Sequence, residues 1–375
     1  MRVIATDKSG YATERNISGL PFQRYRVRRA PNLYRLPNYL HFRVTGNAHA
    51  RWSNLHRDLG WGSYDLLHLF NGVSRGRKPW ISTFETFLPR WGAYGDDDLK
   101  AGLEAMAQPS CKALLALSDC AKRIQIDLLD QYPAYREAIL PKLMVLHPAQ
   151  SIVLDDINEK TLSEDFIDLV IVGNLFFLKG GLELLRVVNM LLNEGAPLRL
   201  HIVSGLKTGD HATLSGPKEL GWAQRFLRAH PERILHHPSL PNREVLYLLK
   251  KSHLGLLPTW ADTYGYSVLE AQAMGCATIT TNVRALPEIN PPEAGWMAQV
   301  PVDALGYAKI NSEAERKTFS NDLTFELERI LRSIIEAPSV IQGKGTAALN
   351  RIKAHHHPTA QAAWLENLYD QILGF

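Results

Sequence analysis

The stretch "LGLLPTWADTYGYSVLEAQAMGCATITTN", residues 254–282, decides how this chain folds. It opens with an apolar run, "LGLLPTW" (254–260), that reads as a strand. A helical segment follows over 262–275 and stops at Gly275. "CATITTN" (276–282) then reads as a second strand. Strand, helix and strand joined by short connections make one crossover unit of a parallel sheet. The front of the helix carries two carboxylates, Asp262 and Glu270, on either side of an aromatic–glycine stretch. Ser267 and Glu270 have the spacing of a capping box, and Asp262 would then be a loop acid favoured by the positive helix end. The other reading makes the acids and the helix amides a ligand site, because open sheets bind ligands beyond the carboxyl ends of their strands.

Working outward from that unit, the same alternation continues. "FIDLVIVGN" (166–174), "LRLHIVSG" (198–205) and "RILHHPSL" (233–240) read as strands. "GGLELLRVVNMLLNEG" (180–195), "PKELGWAQRFLRAH" (217–230) and "NREVLYLLKKS" (242–252) read as helices, the last with Asn242 as its N-cap. In the first half, "YDLLHLFN" (64–71), "PWISTFE" (79–85) and "KALLALSD" (112–119) read as strands. Residues 99–107 and 121–129 read as helices, and "AAWLENLYDQILGF" (362–375) as an amphipathic tail helix. A chain of 375 residues exceeds one ordinary core. The expected fold is therefore α/β with two doubly wound, Rossmann-like domains facing across a cleft. The expected bounds are 1–160 and 161–350 for the two domains and 351–375 for a tail.

Composition narrows the function classes. The chain is 45% hydrophobic and 21% charged, as soluble globular proteins are. It has no apolar run of the roughly eighteen residues that suggest a membrane span. Its start, "MRVIATDKSGYATERN", lacks a signal-peptide core. Cys111, Cys120 and Cys276 have no metal-ligand spacing and read as reduced thiols, which points to a cytoplasmic location. From Pro21 to Arg57 there are eight arginines and no Asp or Glu, with Tyr25, Tyr34, Tyr39 and Trp52 interleaved. Such a segment suits a phosphorylated substrate or the anionic face of a membrane. No nucleic-acid-binding motif accompanies it, so nucleic acid is not an expected partner. "DDD" (96–98) reads as acids at a helix start, and "HHH" (355–357) as side chains pointing different ways; neither predicts a metal site.

A second ligand element lies at another strand end. In "VGNLFFLKGG" (172–181), Gly173 ends the strand and Lys179 precedes Gly180–Gly181, where a helix begins. A lysine beside exposed amides and a helix N-terminus suits a diphosphate. Taken together, "VGN…KGG", "LPNREVLYLLKKSHLGLLP", "LLPTWADTYGYSVLEAQAMG" and "ITTNVRALPEI" resemble the retaining glycosyltransferases of family four, which have the GT-B fold. The resemblance covers roughly 165–290.

The resemblance makes 1–160 the acceptor-side domain and 161–350 the nucleotide-sugar donor domain, has the tail 351–375 pack back on the first, and implies a role for individual residues. Glu270 holds the ribose of a nucleotide-sugar donor, and Asp262, at a position usually occupied by glutamate, holds the transferred sugar. Amides of Tyr264, Gly265, Tyr266 and Ser267 meet the sugar or diphosphate, and Lys179 the phosphates. Gly173 and Asn174 line the same element, Asn174 where an arginine is frequent, with Arg284 a substitute cation. The base lies near the backbone around His236. Glu85, in "STFETF", stands where a histidine is common near the reacting sugar; its alternative is pairing with Arg90. No cofactor or metal is implied. The acceptor is a glycan or a lipid-linked molecule of surface-polysaccharide assembly, and residues 21–57 offer peripheral membrane contact. A non-catalytic nucleotide-sugar-binding or scaffold subunit, an epimerase and a phosphorylase remain the alternatives.

Overall fold

The computed structural model describes residues 2–58, 60, 62–91 and 95–374. The chain forms two compact units, Met1–Ala149 with His356–Phe375, and Gln150–His355.

The first unit contains strands β1 (Arg2–Thr6), β2 (Tyr25–Arg29), β3 (Leu55–His56), β4 (Leu66–Phe70), β5 (Val73–Ser74), β6 (Trp80–Phe84), β7 (Cys111–Ala116) and β8 (Leu143–Val145). Its helices are α1 (Tyr11–Thr13), α2 (Arg35–Thr45), α3 (Ala50–Asn54), α4 (Asp96–Ala107), α5 (Asp119–Asp130) and α6 (Pro133–Ile139). Six strands form a parallel sheet in the order β2-β1-β4-β6-β7-β8, and β3 pairs with β5 separately. The sheet is buried on both faces, which is why β4 and β6 are buried at every position. Successive side chains alternate between two cores. Leu67, Leu69, Trp80, Phe84 and Leu114 pack with Leu103, Met106, Ala121 and Leu129 of α4 and α5. Leu66, Ile81, Ala113 and Leu115 pack on the other face.

The second unit contains β9 (Ile167–Val172), β10 (Leu198–Val203), β11 (Ile234–His237), β12 (Leu254–Leu257), β13 (Ala277–Thr281) and β14 (Gly295–Ala298). The intervening helices are α7 (Gly181–Asn193), α8 (Pro217–Ala229), α9 (Asn242–Lys250), α10 (Tyr266–Ala273) and α11 (Leu286–Ile289), followed by α12 (Glu313–Glu336) and α13 (Val340–His355). The sheet is parallel throughout, in the order β11-β10-β9-β12-β13-β14. The chain builds outward from β9 through β10 to β11, then returns to place β12 on the other side of β9. The gap between the ends of β9 and β12 is therefore the topological switch point, where such sheets bind ligands.

The last helix, α14 (Pro358–Leu373), returns to the first unit. Ala362, Leu365, Leu368 and Tyr369 enter the second core of that unit. Glu366 Oε1 accepts from the amides of Gln23 (2.7 Å) and Arg24 (2.6 Å), and Asp370 Oδ1 accepts from the Tyr25 hydroxyl at 2.5 Å. Arg24 also pairs with Glu366 and Asp370. Two residues read from sequence as basic and aromatic surface thus hold the tail instead, and Tyr25 is 3% exposed. The chain leaves the first unit at Ala149 and returns at His356, so 150–160 and 351–355 belong to the second unit. Helix α13 runs unbroken to His355, and His356 bonds the Pro148 carbonyl at 2.7 Å. Phe375, the end of the expected tail helix, lies outside the described residues.

Sequence reading missed β1 and β2. The "YRVRR" of β2 is an edge strand with Arg26, Arg28 and Arg29 exposed, so it lacks the apolar signature of its neighbours. The acids at 96–98 occupy the first turn of α4, and Asp98 pairs with Arg51. His357 caps α14 through the Thr359 amide, whereas His356 is buried. Cys111, Cys120 and Cys276 are buried thiols.

His68 of β4 is fully buried, with one ring nitrogen 2.7 Å from the Tyr369 hydroxyl and the other 2.8 Å from Thr83 Oγ1. Burial pushes its pKa down to about 3, so it stays neutral in the fold. An unfolded histidine binds a proton near pH 6.5, and below that the unfolded state holds more protons than the folded one. Stability contributed by the neutral ring is complete above pH 6.5 and is lost as pH falls toward 3, by about 1.4 kcal/mol per pH unit. Urea titrations at successive pH values should show this slope in wild type and a flatter one in His68→Gln.

Candidate functional site

Two helices begin at the switch point, α7 after β9 and α10 after β12, and neither has a side-chain cap. Each N-cap is a glycine in the left-handed region, Gly180 (φ 75°) and Gly265 (φ 102°). A helix leaves its first amides without intrahelical partners. Two such ends side by side concentrate positive potential where β9 and β12 finish.

This arrangement overturns the capping-box reading of Ser267 and Glu270. The helix starts at Tyr266 with Gly265 as N-cap, so Ser267 already lies inside the first turn. Glu270 instead accepts from Asn242 Nδ2 at 2.9 Å and is 8% exposed. Asn242 is not the N-cap of α9, a place taken by Pro241. Its amide is therefore available to orient the carboxylate, a role that sequence spacing did not suggest.

The loops carrying Lys179 and Asp262 are bonded to each other. Lys179 Nζ lies 2.7 Å from Asp262 Oδ2, with both side chains largely buried. The other Asp262 oxygen accepts from the Tyr264 amide at 3.2 Å, which fixes the turn and occupies that amide. The Leu178 carbonyl accepts from the Trp260 amide (2.9 Å) and from Thr259 Oγ1 (3.1 Å). Glu183, buried in the first turn of α7, accepts from Trp260 Nε1 at 3.3 Å and Ser320 Oγ at 2.6 Å. Burial pushes the Glu183 carboxyl pKa up. Glu183 has no sequence signal beyond an acid near a helix start, because its partners come from distant segments.

The remaining predicted residues of this unit lie at neighbouring strand ends. Gly173 follows β9, and a side chain there would press on the Lys179 stem at 3.0 Å. Asn174 is exposed, and its carbonyl is 3.4 Å from Ser204 Oγ. His236, at the end of β11, bonds the Ser204 carbonyl at 2.8 Å. Arg284 is buried, with its guanidinium 4.3 Å above the Tyr307 ring. Lys179, Asp262, Glu270, Gly173, Asn174, His236 and residues 264–267 thus share one unit and one edge of its sheet.

Glu85 belongs to the other unit, just beyond β6. Its Oε2 accepts from Arg90 at 2.8 Å and from Asn71 Nδ2 at 3.2 Å, so the pairing alternative describes it in this structure. Nearby, Lys8 Nζ donates to Asn54 Oδ1 (2.7 Å) and to the Phe70 carbonyl (3.0 Å). Burial lowers the Lys8 pKa. The carboxyl ends of β1, β4 and β6 therefore carry a polar cluster of which sequence singled out only Glu85.

Two Rossmann-like units of this kind are the architecture of GT-B glycosyltransferases. A glycosyltransferase from Rickettsia africae aligns with a TM-score of 0.58 at 12% identity, over 100% of this chain and 99% of that one. The Anabaena protein HepE in complex with UDP and glucose aligns with a TM-score of 0.56 at 12% identity, over 98% of both chains. These likenesses establish the fold. Residues 167–310 match the family model of glycosyl transferases group 1. It is also 24% identical over 171 residues to the gpi3 subunit of the phosphatidylinositol N-acetylglucosaminyltransferase of Schizosaccharomyces pombe. That match covers 45% of this chain and 34% of the relative, so the chain spans about a third of the curated relative it matches.

Proposed function

We propose that this protein is a retaining glycosyltransferase that moves a sugar from a nucleotide-sugar donor to a glycan or lipid-linked acceptor in polysaccharide assembly. The observation that carries the reading is the Lys179–Asp262 pair set between two uncapped helix ends at the switch point. In the proposed complex the diphosphate takes the place of Asp262 on Lys179 and meets the amides of α10. Asp262 is released to the sugar hydroxyls, and Glu270, oriented by Asn242, takes the ribose. UDP in the HepE complex makes a uridine nucleotide the first donor to test.

In the reaction, the bond from the anomeric carbon to the diphosphate breaks and a bond to an acceptor oxygen forms on the same face. The acceptor proton passes to the departing phosphate oxygen. Charge grows on the leaving group, where preorganised donors lower the barrier most. Lysine and helix ends do this work in the proposed mechanism, so chelation of divalent ions should leave turnover unchanged. The setting we propose is the cytoplasmic side of a membrane, with residues 21–57 in peripheral contact. No described helix is long and apolar enough to cross a bilayer.

The test is a thermal-shift panel of nucleoside diphosphates on wild type and Glu270→Ala. A ligand at a hundred times its Kd stabilises by about 2.7 kcal/mol. One nucleotide should stabilise wild type, and the variant should lose that response while remaining folded. Silence of the whole panel on folded wild type would remove the donor site from Glu270.

A further inference from the structure

Helix α2 is amphipathic in the reverse of the usual sense. At 100° per residue, Tyr34, Asn38, His41 and Thr45 fall within about 60° of one another, while Leu36, Leu40 and Val44 form a stripe that begins opposite them and drifts round to one side, with Arg43 next to Leu36. The polar face is the one turned to the protein. Asn38 Nδ2 donates to Ser53 Oγ at 3.1 Å, and Asn38 Oδ1 accepts from the His49 amide at 2.8 Å. The His41 ring packs edge-on against Trp52 and His49. The apolar face is in solvent: Leu36 is 65% exposed, Leu40 55% and Val44 86%, with Leu33, Tyr39 and Phe42 also exposed. No residue of the helix is buried. Such a ridge on a folded surface marks an interaction site.

The charge around the ridge selects its occupant. Arg35 and Arg43 lie on the helix itself, and Arg28, Arg29 and Arg57 are exposed on neighbouring segments. Arg28, Arg29, Arg35 and Arg57 make no ion pair among the described residues. The segment 21–57 offers no carboxylate. A second copy docked ridge to ridge would set these arginines against their equivalents. An anionic bilayer neutralises them at the headgroups and takes the apolar ridge just beneath, the pairing an interfacial helix requires. We propose that α2 lies in the surface of an anionic lipid bilayer, with Leu36, Leu40 and Val44 inserted and the surrounding arginines reaching up to the headgroups, Arg43 from within the outward face. This deepens the proposed peripheral contact and rests on that reading for the surface involved. It narrows the contact to one helix face, since Arg24 and Tyr25 of the same segment are already committed to the tail helix.

Co-sedimentation with vesicles tests it, without donor, acceptor or turnover, so the inference can fail while the transferase reading stands. Wild type should pellet with vesicles of equal parts phosphatidylglycerol and phosphatidylcholine, and remain in the supernatant with phosphatidylcholine alone. The triple variant Leu36→Ser, Leu40→Ser, Val44→Ser should bind about tenfold or more weakly with an unchanged melting curve, since all three side chains are exposed. Arg35→Gln with Arg43→Gln should weaken binding in low salt and little in high salt. Equal pelleting of wild type and the triple variant would overturn the proposal, as would no pelleting at all. A dimer that dissociates in the triple variant, without vesicle binding, would assign the ridge to a second copy.

Discussion

Lys179→Ala should lower turnover by about 100-fold or more, the effect of removing one preorganised donor from a developing negative charge. The protein should stay folded. Lys179 keeps 19% and Asp262 16% of its side chain exposed, so water reaches the carboxylate left behind, and Asp262 is the one ion partner of Lys179 among the described residues. The informative comparison is Asp262→Asn. That change removes a competing carboxylate from the lysine, so nucleoside diphosphate binding should be kept or strengthened while turnover falls. If both variants lose diphosphate binding equally, the pair serves to hold the two loops together, and the role of Lys179 in stabilising the leaving group is wrong. Initial rates with excess donor, alongside calorimetric titration of the nucleoside diphosphate, separate the outcomes.

Gly180→Ala should destabilise the protein by about 2–5 kcal/mol. The left-handed backbone costs a residue with a Cβ about 1–2 kcal/mol, and forced overpacking adds roughly 1–3 kcal/mol. At φ 75°, a Cβ on residue 180 would lie 1.9 Å from the Pro258 carbonyl oxygen. That oxygen is backbone and has no rotamer into which to retreat. Gly195→Ala is the control. Its φ is 84°, yet nothing lies within 4 Å of the added atom, so it should show the backbone cost alone. Urea unfolding of the two variants gives the cost of the close approach by difference. Similar losses in both would mean that the two loops can separate at residue 180 without penalty.

Gly180 also shows why the site was only partly legible in the sequence. A glycine before a helix is visible, and the lysine beside it suggests an anion. What makes glycine obligatory is a carbonyl 78 positions further along, brought close because β9 and β12 are adjacent strands. The same division applies to the two acids. Spacing drew attention to Glu270 and proposed Ser267 as its partner, since capping boxes are local. The structure gives it Asn242, from a helix that the sequence could place but not orient. Lys179 and Asp262 were both visible, whereas their ion pair was not.

The arginine-rich segment divides in the same way. Its charge is a property of composition, but Arg24 and Arg51 are spent on ion pairs with the tail helix and α4. The outward apolar face of α2 depends on which side of the helix meets α3, through Asn38 and His41, a tertiary choice.

Sequence alone determined the alternating strands and helices, the buried parallel sheets and the acids at the front of α10. These are carried by hydrophobic runs, glycines and local spacing, which act over a few residues. Tertiary structure decided strand order, the switch point, the partners of Glu270 and Asp262, and the return of α14 to the first unit. Those depend on contacts between residues far apart in the chain, whose closeness is settled only when the apolar faces find their complements and the backbone has closed around them.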